Sequence, residues 1–290
     1  RDIRMELWTG AIVGQKRAVS EHGFDQAFAI DDIDDHLPLL LQNRQQIFAP
    51  LGKMDDFDKQ LMFWYKDVQN KIRQGVNPPG QFHELSHILH PLRWQKHATE
   101  IALMRKAAEI SAQAHIRAMQ MAGRVHYEYE LEAELWHEFI RHGARYTAYD
   151  SIVAAGKNAC VLHYTANDAK INPADLILID AGCEYQHYAA DITRTFPASG
   201  RFSGEQRAVY EIVLAAQHAA MALIKPGCPW NDLHTAAVRV TTQGLKDLDI
   251  LHGDLDGLIE QAAYKDFYMH KSGHWLGMDV HDVGPYKDCQ

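Results

Sequence analysis

The stretch "LILIDAGCEYQHYAADITRTF", residues 176–196, leads four aliphatic residues into a carboxylate, Asp180, and sets a second carboxylate, Asp191, eleven positions further on. Leu176 to Ile179 are apolar on both faces, the pattern of a strand covered on both sides, so Asp180 is expected to be at least partly buried. Gly182 ends that strand, and a second β-rich run passes from Tyr188 through Ile192 and Thr193 to Phe196 before Pro197 stops it. The two runs read as a hairpin. With its turn centred on Tyr185 and Gln186, Asp180 and Asp191 face each other directly, their β-carbons about 5 Å apart, where like charges destabilise a sheet. At an effective dielectric of about 20 the repulsion is roughly 3 kcal/mol. A shared proton, a nearby guanidinium such as Arg194, or a divalent cation with oxygen ligands would offset it. Two solvated strand-end aspartates in a slightly different register are the plain alternative.

Composition limits what such a site can serve. The chain has 290 residues, long enough for two domains and a sizeable core, with 47% hydrophobic and 23% charged residues. Its mean hydropathy is -0.34, ordinary for a soluble globular protein. A net charge of -9 argues against non-specific nucleic-acid binding and against an anionic membrane surface. Cys160, Cys183, Cys228 and Cys289 are scattered without metal-type spacing, which suits reduced thiols and a cytoplasmic address. No apolar run reaches the roughly 18 residues needed to cross a bilayer, and no signal peptide is recognisable. The chain opens on Arg1 and closes on the polar "GPYKDCQ", which reads as truncation at both ends.

Residues 1–92 are expected to form a small α/β domain, itself partial, with strands at "QAFAI" (26–30) and "QIFAPLG" (46–52) and helices around 37–41 and 57–72. From residue 93 the pattern changes. Ile101, Met104, Ala108, Ala112 and Met119 recur at helical spacing, and Leu131, Leu135 and Phe139 mark a second helix ended by Gly143. Ser203 and Gln206 stand in capping-box positions for a third helix, which Pro226 and Gly227 end, and Leu233, Ala237, Val240 and Leu245 mark a fourth. These stripes read as core. Between them lie β-rich runs carrying the polar residues, so residues 93–290 are expected to be an α+β catalytic domain with its chemistry on the sheet.

Eighteen histidines are many for this length, and singly they carry little. In "MHKSGHWLGMDVHDVG", residues 269–284, His270, His274 and His281 fall together. Gly273, Gly277 and Gly284 exclude a regular helix, and Lys271 occupies the place where the helical zinc motif needs glutamate. Read as a strand, the segment puts His270 and His274 on one face, and Asp279 and His281 on the other. His163, in "CVLHYTAN", is a lone histidine that on its own would be read as structural.

Taken together, "IDAGCEYQHYAADITRTF", "HWLGMDVHDVG" and "SIVAAGKNACVLHYTAN" resemble the aminopeptidase P family of the pita-bread metallopeptidase superfamily, and the likeness runs from Trp8 to Tyr286. The resemblance implies a curved antiparallel sheet backed by helices, preceded by the smaller domain. It implies two divalent metals, usually manganese, with Asp180 on one, Asp191 bridging and His274 on the other. A water or hydroxide held between the ions would release the N-terminal residue of peptides with proline second. His163 and His281 match histidines that contact substrate and stabilise or shuttle protons, and His270 matches one that lines the pocket. Tyr286 and Arg73 match positions near the site, and Trp8 matches one that approaches a neighbouring subunit's pocket, bacterial members often being homotetramers.

Two departures stand beside the resemblance. The family's two glutamate ligands lie on later strands than this chain contains, leaving three of five protein ligands, and Lys271 stands where relatives usually have glycine. A prolidase cleaving Xaa-Pro dipeptides and a non-catalytic partner-binding protein on the same scaffold remain the rival readings. Creatinase, which shares the scaffold without the full metal set, is disfavoured by retention of both aspartates.

Overall fold

The computed structural model describes residues 3–286 and divides into two compact units, Arg1–Pro91 and Leu92–Gln290. In the first, helices α1 (Ile3–Thr9) and α2 (Gly14–His22) precede α3 (Ile33–Leu41), strand β1 (Gln46–Ala49), α4 (Asp55–Asn70) and strand β2 (Gln81–Glu84). β1 and β2 pair in parallel, Gln46 opposite Gln81, as α4 between them requires. Ile47, Ala49, Leu61 and Trp64 form the small core, with the Trp64 indole donating to Asp34 at 2.7 Å. The strand expected at 26–30 does not form. Phe28 and Ile30 are exposed there, and the chain enters a 3-10 turn at Ile30–Asp32 that leads into α3. Helix α5 (Ser86–Trp94) carries the chain across the divide.

The second unit opens with α6 (Ala98–Met121) and α7 (Glu128–Arg141), followed by β3 (Tyr146–Thr147), β4 (Ile152–Ala155), β5 (Leu176–Ala181), β6 (Cys183–Tyr185), β7 (Tyr188–Ala189) and β8 (Ile192–Pro197). Helices α8 (Gly204–Ala222), α9 (Trp230–Asp247) and α10 (Leu255–Glu260) complete it. α8 starts with the capping box its sequence announces: the Gln206 amide donates to Ser203 Oγ, and the Ser203 amide to the Gln206 side chain. α6 forms where expected but turns a different face inward. Ala107, Ile110, Ala114 and Ala118 are buried, while Ile101 and Met119 are exposed, because small residues let the helix lie close on the sheet.

Two antiparallel sheets run β4-β5-β8 and β3-β6-β7, so the hairpin from 176 to 197 is one ribbon interrupted at Gly182. The turn falls on Gln186 and His187, with φ of 47° and 70°, one residue later than the sequence suggests. Asp180 therefore pairs with Thr193 and Ala181 with Ile192. Asp191 is a diagonal neighbour of Asp180, on the same face but not directly opposed. A β-carbon at Gly182 would stand 1.7 Å from Ala190 O, so only glycine lets the two chains close at the interruption.

The strand β5 is covered on one side. Ile177, Ile179 and Ala181 are buried against Ile110, Leu131, Leu135 and Phe139, whereas Leu176, Leu178 and Asp180 on the other face are half-buried. The expectation of burial on both faces is corrected accordingly. Helices occupy one face, and the polar chemistry faces away from them.

The segment 274–284 is not a strand. It makes one bond to the sheet, from Ala189 N to Gly277 O, and otherwise closes on itself, Asp282 N donating to Trp275 O and Gly277 N to Asp279 O. With no ladder to extend it, the chain doubles back.

Candidate metal centre

Strand β4 delivers the first element of the site. Ile152 pairs with Asp180, and three residues earlier Tyr149 reaches over the end of β5, its hydroxyl 2.5 Å from Asp180 Oδ1 and 3.0 Å from Asp191 Oδ1. A phenol has one proton to donate, so it satisfies one of these two acceptors at a time. Burial, joined by the charge of Asp191, pushes the Asp180 carboxyl above its ordinary value, against the pull of its bonds to Tyr149 and Thr193. Burial and the charge of Asp180 likewise push the Tyr149 phenol up, which keeps it a donor. Arg194 does not compensate the pair. It pairs across from Ile179, on the opposite face of the strand, and donates to Thr193 O.

His274 supplies the third group. Its Nδ1 lies 2.9 Å from the Trp275 carbonyl, which can only accept, so Nδ1 carries the proton and the lone pair of a neutral ring sits on Nε2. That Nε2 is 3.0 Å from Asp191 Oδ2. Two carboxylates and the His274 Nε2 atom thus converge, with the side chains of Tyr149 and Thr193 as donors to Asp180, an arrangement that suits a cation. The donor set, oxygen and imidazole without thiolate, fits a divalent metal of the hard or borderline class. Among the described residues no three His, Cys, Asp or Glu side chains form a closed cage.

His281 joins this cluster from the doubled-back segment, its ring centroid 4.3 Å from that of His274. Strand alternation had put the two on opposite faces; the reversal between Trp275 and Asp282 brings them together. Asp282, next in the chain, fixes that reversal. It is buried, accepts from Lys96 Nζ at 2.8 Å and from Arg93 Nη2 at 2.6 Å, and Arg93 also reaches Asp279 at 2.7 Å. Tyr286 packs at 5.3 Å from Trp230 and takes the Trp275 amide on its hydroxyl, so its contacts lie under the His274 segment rather than with the carboxylates.

The other expected residues stand apart. His270 is exposed, with Nδ1 on the Lys271 carbonyl. Lys271 lines, with His234, Trp230, His274 and Trp275, a cavity of about 450 Å³ beside the cluster. His163 is exposed in the loop after the 3-10 turn Gly156–Cys160. Arg73 and Trp8 belong to the first unit and are both exposed, Trp8 by 85%. Tyr149 and Asp282 went unnoticed in the sequence. A tyrosine just before a β-run and an aspartate just after a histidine carry no spacing signal of their own.

The described cysteines, Cys160, Cys183 and Cys228, are free thiols, and Cys289 lies outside the described residues. No helix among the described residues is long and apolar enough to cross a membrane.

Comparison with known proteins identifies the fold and the family. The chain is 44% identical over 286 residues to the Xaa-Pro aminopeptidase of Haemophilus influenzae and 42% identical to that of Escherichia coli, covering 99% of this chain and 64% and 65% of those proteins. The solved aminopeptidase PepP of Pseudomonas aeruginosa superposes with a TM-score of 0.95 at 55% identity, over all of this chain and 65% of that one. A zinc-substituted E. coli aminopeptidase P in complex with product superposes at 0.94 with 42% identity, over 99% of this chain and 65% of that one. The fold is therefore that of these aminopeptidases. Residues 1–48 match the aminopeptidase P N-terminal domain and residues 102–289 match the model of metallopeptidase family M24, and with that match covering well over half its length the chain belongs to metallopeptidase family M24.

Proposed function

We propose that this protein is an Xaa-Pro aminopeptidase, releasing the N-terminal residue from peptides with proline in second position. The observation that carries the reading is the convergence of Asp180, Asp191 and His274 Nε2, with the Tyr149 hydroxyl within reach of both carboxylates. The names of relatives 42–55% identical over nearly the whole chain support it. Asp180, Asp191 and His274 would hold divalent metal, with Asp191 shared between two ions, taken here as manganese. Such ions, when bound, polarise a scissile carbonyl and lower the pKa of a water.

The chain's own residues have the following parts. Tyr149 stands between the two carboxylates and donates to one of them at a time. His281, against His274, hydrogen-bonds the developing oxyanion or moves a proton toward the leaving prolyl nitrogen. His163 contacts the substrate and His270 lines the pocket, with Tyr286 and Arg73 as weaker substrate contacts and Trp8 approaching a neighbouring subunit's pocket. A homotetramer and a cytoplasmic location complete the reading, the latter supported by the scattered cysteines.

The test is a specificity profile of the full-length enzyme with Mn(II): Xaa-Pro-Xaa tripeptides, Xaa-Pro dipeptides and Xaa-Ala-Xaa tripeptides. The expected order favours the proline tripeptide. Strict dipeptide preference would make it a prolidase, and failure to cleave any of the three would point to a partner-binding protein.

A further inference from the structure

Helix α7 begins with a carboxylate that the proposed reaction does not use. Glu128 is fully buried and, among the described residues, makes no ion pair, yet both its oxygens are occupied. Oε1 accepts from the Ala155 amide at 2.7 Å and from Asn158 Nδ2 at 3.2 Å. Oε2 accepts from the Tyr164 hydroxyl at 2.7 Å and from the Ala169 amide at 2.9 Å. One oxygen thus holds the outgoing end of the loop 156–168 and the other its return.

That loop carries His163, and Tyr164 is its neighbour. The loop folds back along the free edge of β4, where Asn167 substitutes for a missing strand: its Oδ1 takes the Val153 amide at 2.9 Å and its Nδ2 donates to Ser151 O at 2.8 Å. Asn167 is buried with φ of 49°, a left-handed conformation that asparagine tolerates. Val153 and Ile152 of the same strand pair with Ile179 and Asp180. A chain of hydrogen bonds therefore runs from Glu128 through the loop to the strand that flanks the carboxylates.

We propose that Glu128 is a positioning residue for His163, setting where that imidazole stands by fastening its loop at both ends and at Tyr164. The inference rests on the reading of His163 as a substrate-contacting group. A buried carboxyl is a costly way to tie a surface loop, since four donors must be gathered to hold it. Glutamine cannot replace it. It keeps one acceptor oxygen, and its NH2 group would face donors on the other side.

The experiment is a double-mutant cycle in the full-length enzyme between Glu128→Gln and His163→Ala, on a Xaa-Pro-Xaa tripeptide with Mn(II). Glu128→Gln alone is expected to lower kcat about 10- to 100-fold, the range for groups that orient another through hydrogen bonds, with bound manganese per protomer unchanged. On the His163→Ala background the same change should cost less than about twofold, because the group it positions is gone. Tyr164→Phe removes one donor and leaves the carboxylate held by three. It should show a smaller loss with the same coupling, and it stands in if Glu128→Gln does not fold. Full turnover in these variants, or a loss that adds in full to that of His163→Ala, would overturn the proposal. If His163→Ala itself turned over normally, the role given to His163 would fall and this inference with it. If His163→Ala were impaired while the cycle was additive, only the positioning role would fall.

Discussion

Replacing Asp282 by asparagine removes a buried charge while nearly keeping its shape. The side chain is 1% exposed and meets Lys96 Nζ at 2.8 Å and Arg93 Nη2 at 2.6 Å, the Lys96 side chain being only 12% exposed. At an effective dielectric of about 20, each contact is attractive by roughly 6 kcal/mol before desolvation is subtracted. Measured losses on removing one partner of a buried pair are about 3–5 kcal/mol, because the other charge stays behind. Asparagine still accepts a hydrogen bond and Arg93 keeps Asp279, so the lower end, about 3 kcal/mol at pH 7, is expected. The pH dependence adds a second check. Burial raises the Asp282 carboxyl, but the Lys96 bond, the Val283 amide and the charges of Lys96 and Arg93 prevail and hold it below the ordinary value. A depressed folded pKa contributes stability above the unfolded value, near 4, and loses it as pH falls through the folded value. The difference between wild type and Asp282→Asn should therefore be full at pH 7 and shrink below pH ~4. Urea denaturation followed by tryptophan fluorescence reads it, since Trp94 and Trp275, 5.8 Å apart, flank this network. A loss below about 0.5 kcal/mol at neutral pH, or one that persists undiminished in acid, would refute the reasoning.

Asp191→Asn should abolish peptidase activity of the full-length enzyme and leave the fold intact, since a neutral amide relieves the repulsion with Asp180 but shares cations poorly; wild-type turnover with manganese supplied would remove Asp191 from the centre. Tyr149→Phe removes the hydroxyl that both carboxylates share, leaving Asp180 its bond to Thr193, and should lower stability by about 1–3 kcal/mol in metal-free buffer. Added Mn(II) should recover most of that loss in a thermal melt, and an equal deficit with and without metal would contradict the arrangement. Gly182→Ala brings a β-carbon to 1.7 Å from Ala190 O and should cost at least about 3 kcal/mol, more than any exposed Gly→Ala change. Circular dichroism melting measures it, and a neutral result would mean the ribbon closes differently.

Much of the fold was legible because its signals were local. The Ser203 and Gln206 capping box, the Leu131, Leu135 and Phe139 stripe and the β-run 176–181 each announce their element within a few residues. What was misread depended on partners far away in sequence. "QAFAI" has the composition of a strand, but the chain turns into the 3-10 segment Ile30–Asp32 that starts α3, and the small sheet holds only β1 and β2. "HWLGMDVHDVG" has the alternation of a strand, but its backbone meets the sheet at one bond and Asp282 is drawn back by Arg93 and Lys96, nearly 190 positions earlier. The turn was placed one residue early because Gln186–His187 carries none of the Asn-Gly chemistry that usually marks two left-handed residues in a hairpin.

The error in register nevertheless spared the site. Moving the partner of Asp180 from Asp191 to Thr193 shifts the ladder by two residues, and side chains repeat with a period of two, so Asp191 stays on the face of Asp180. A shift of one would have sent it into the helices behind. In this diagonal placement the Tyr149 hydroxyl, from just before β4, comes within hydrogen-bond distance of both carboxylates. Gly182 lies opposite Asp191 at the interruption, so the absence of a β-carbon, the position of the second carboxylate and the reach of the phenol have one geometric cause. Cation binding in such a place requires acceptors held at a distance they would not choose, and here a glycine and a tyrosine hold them there.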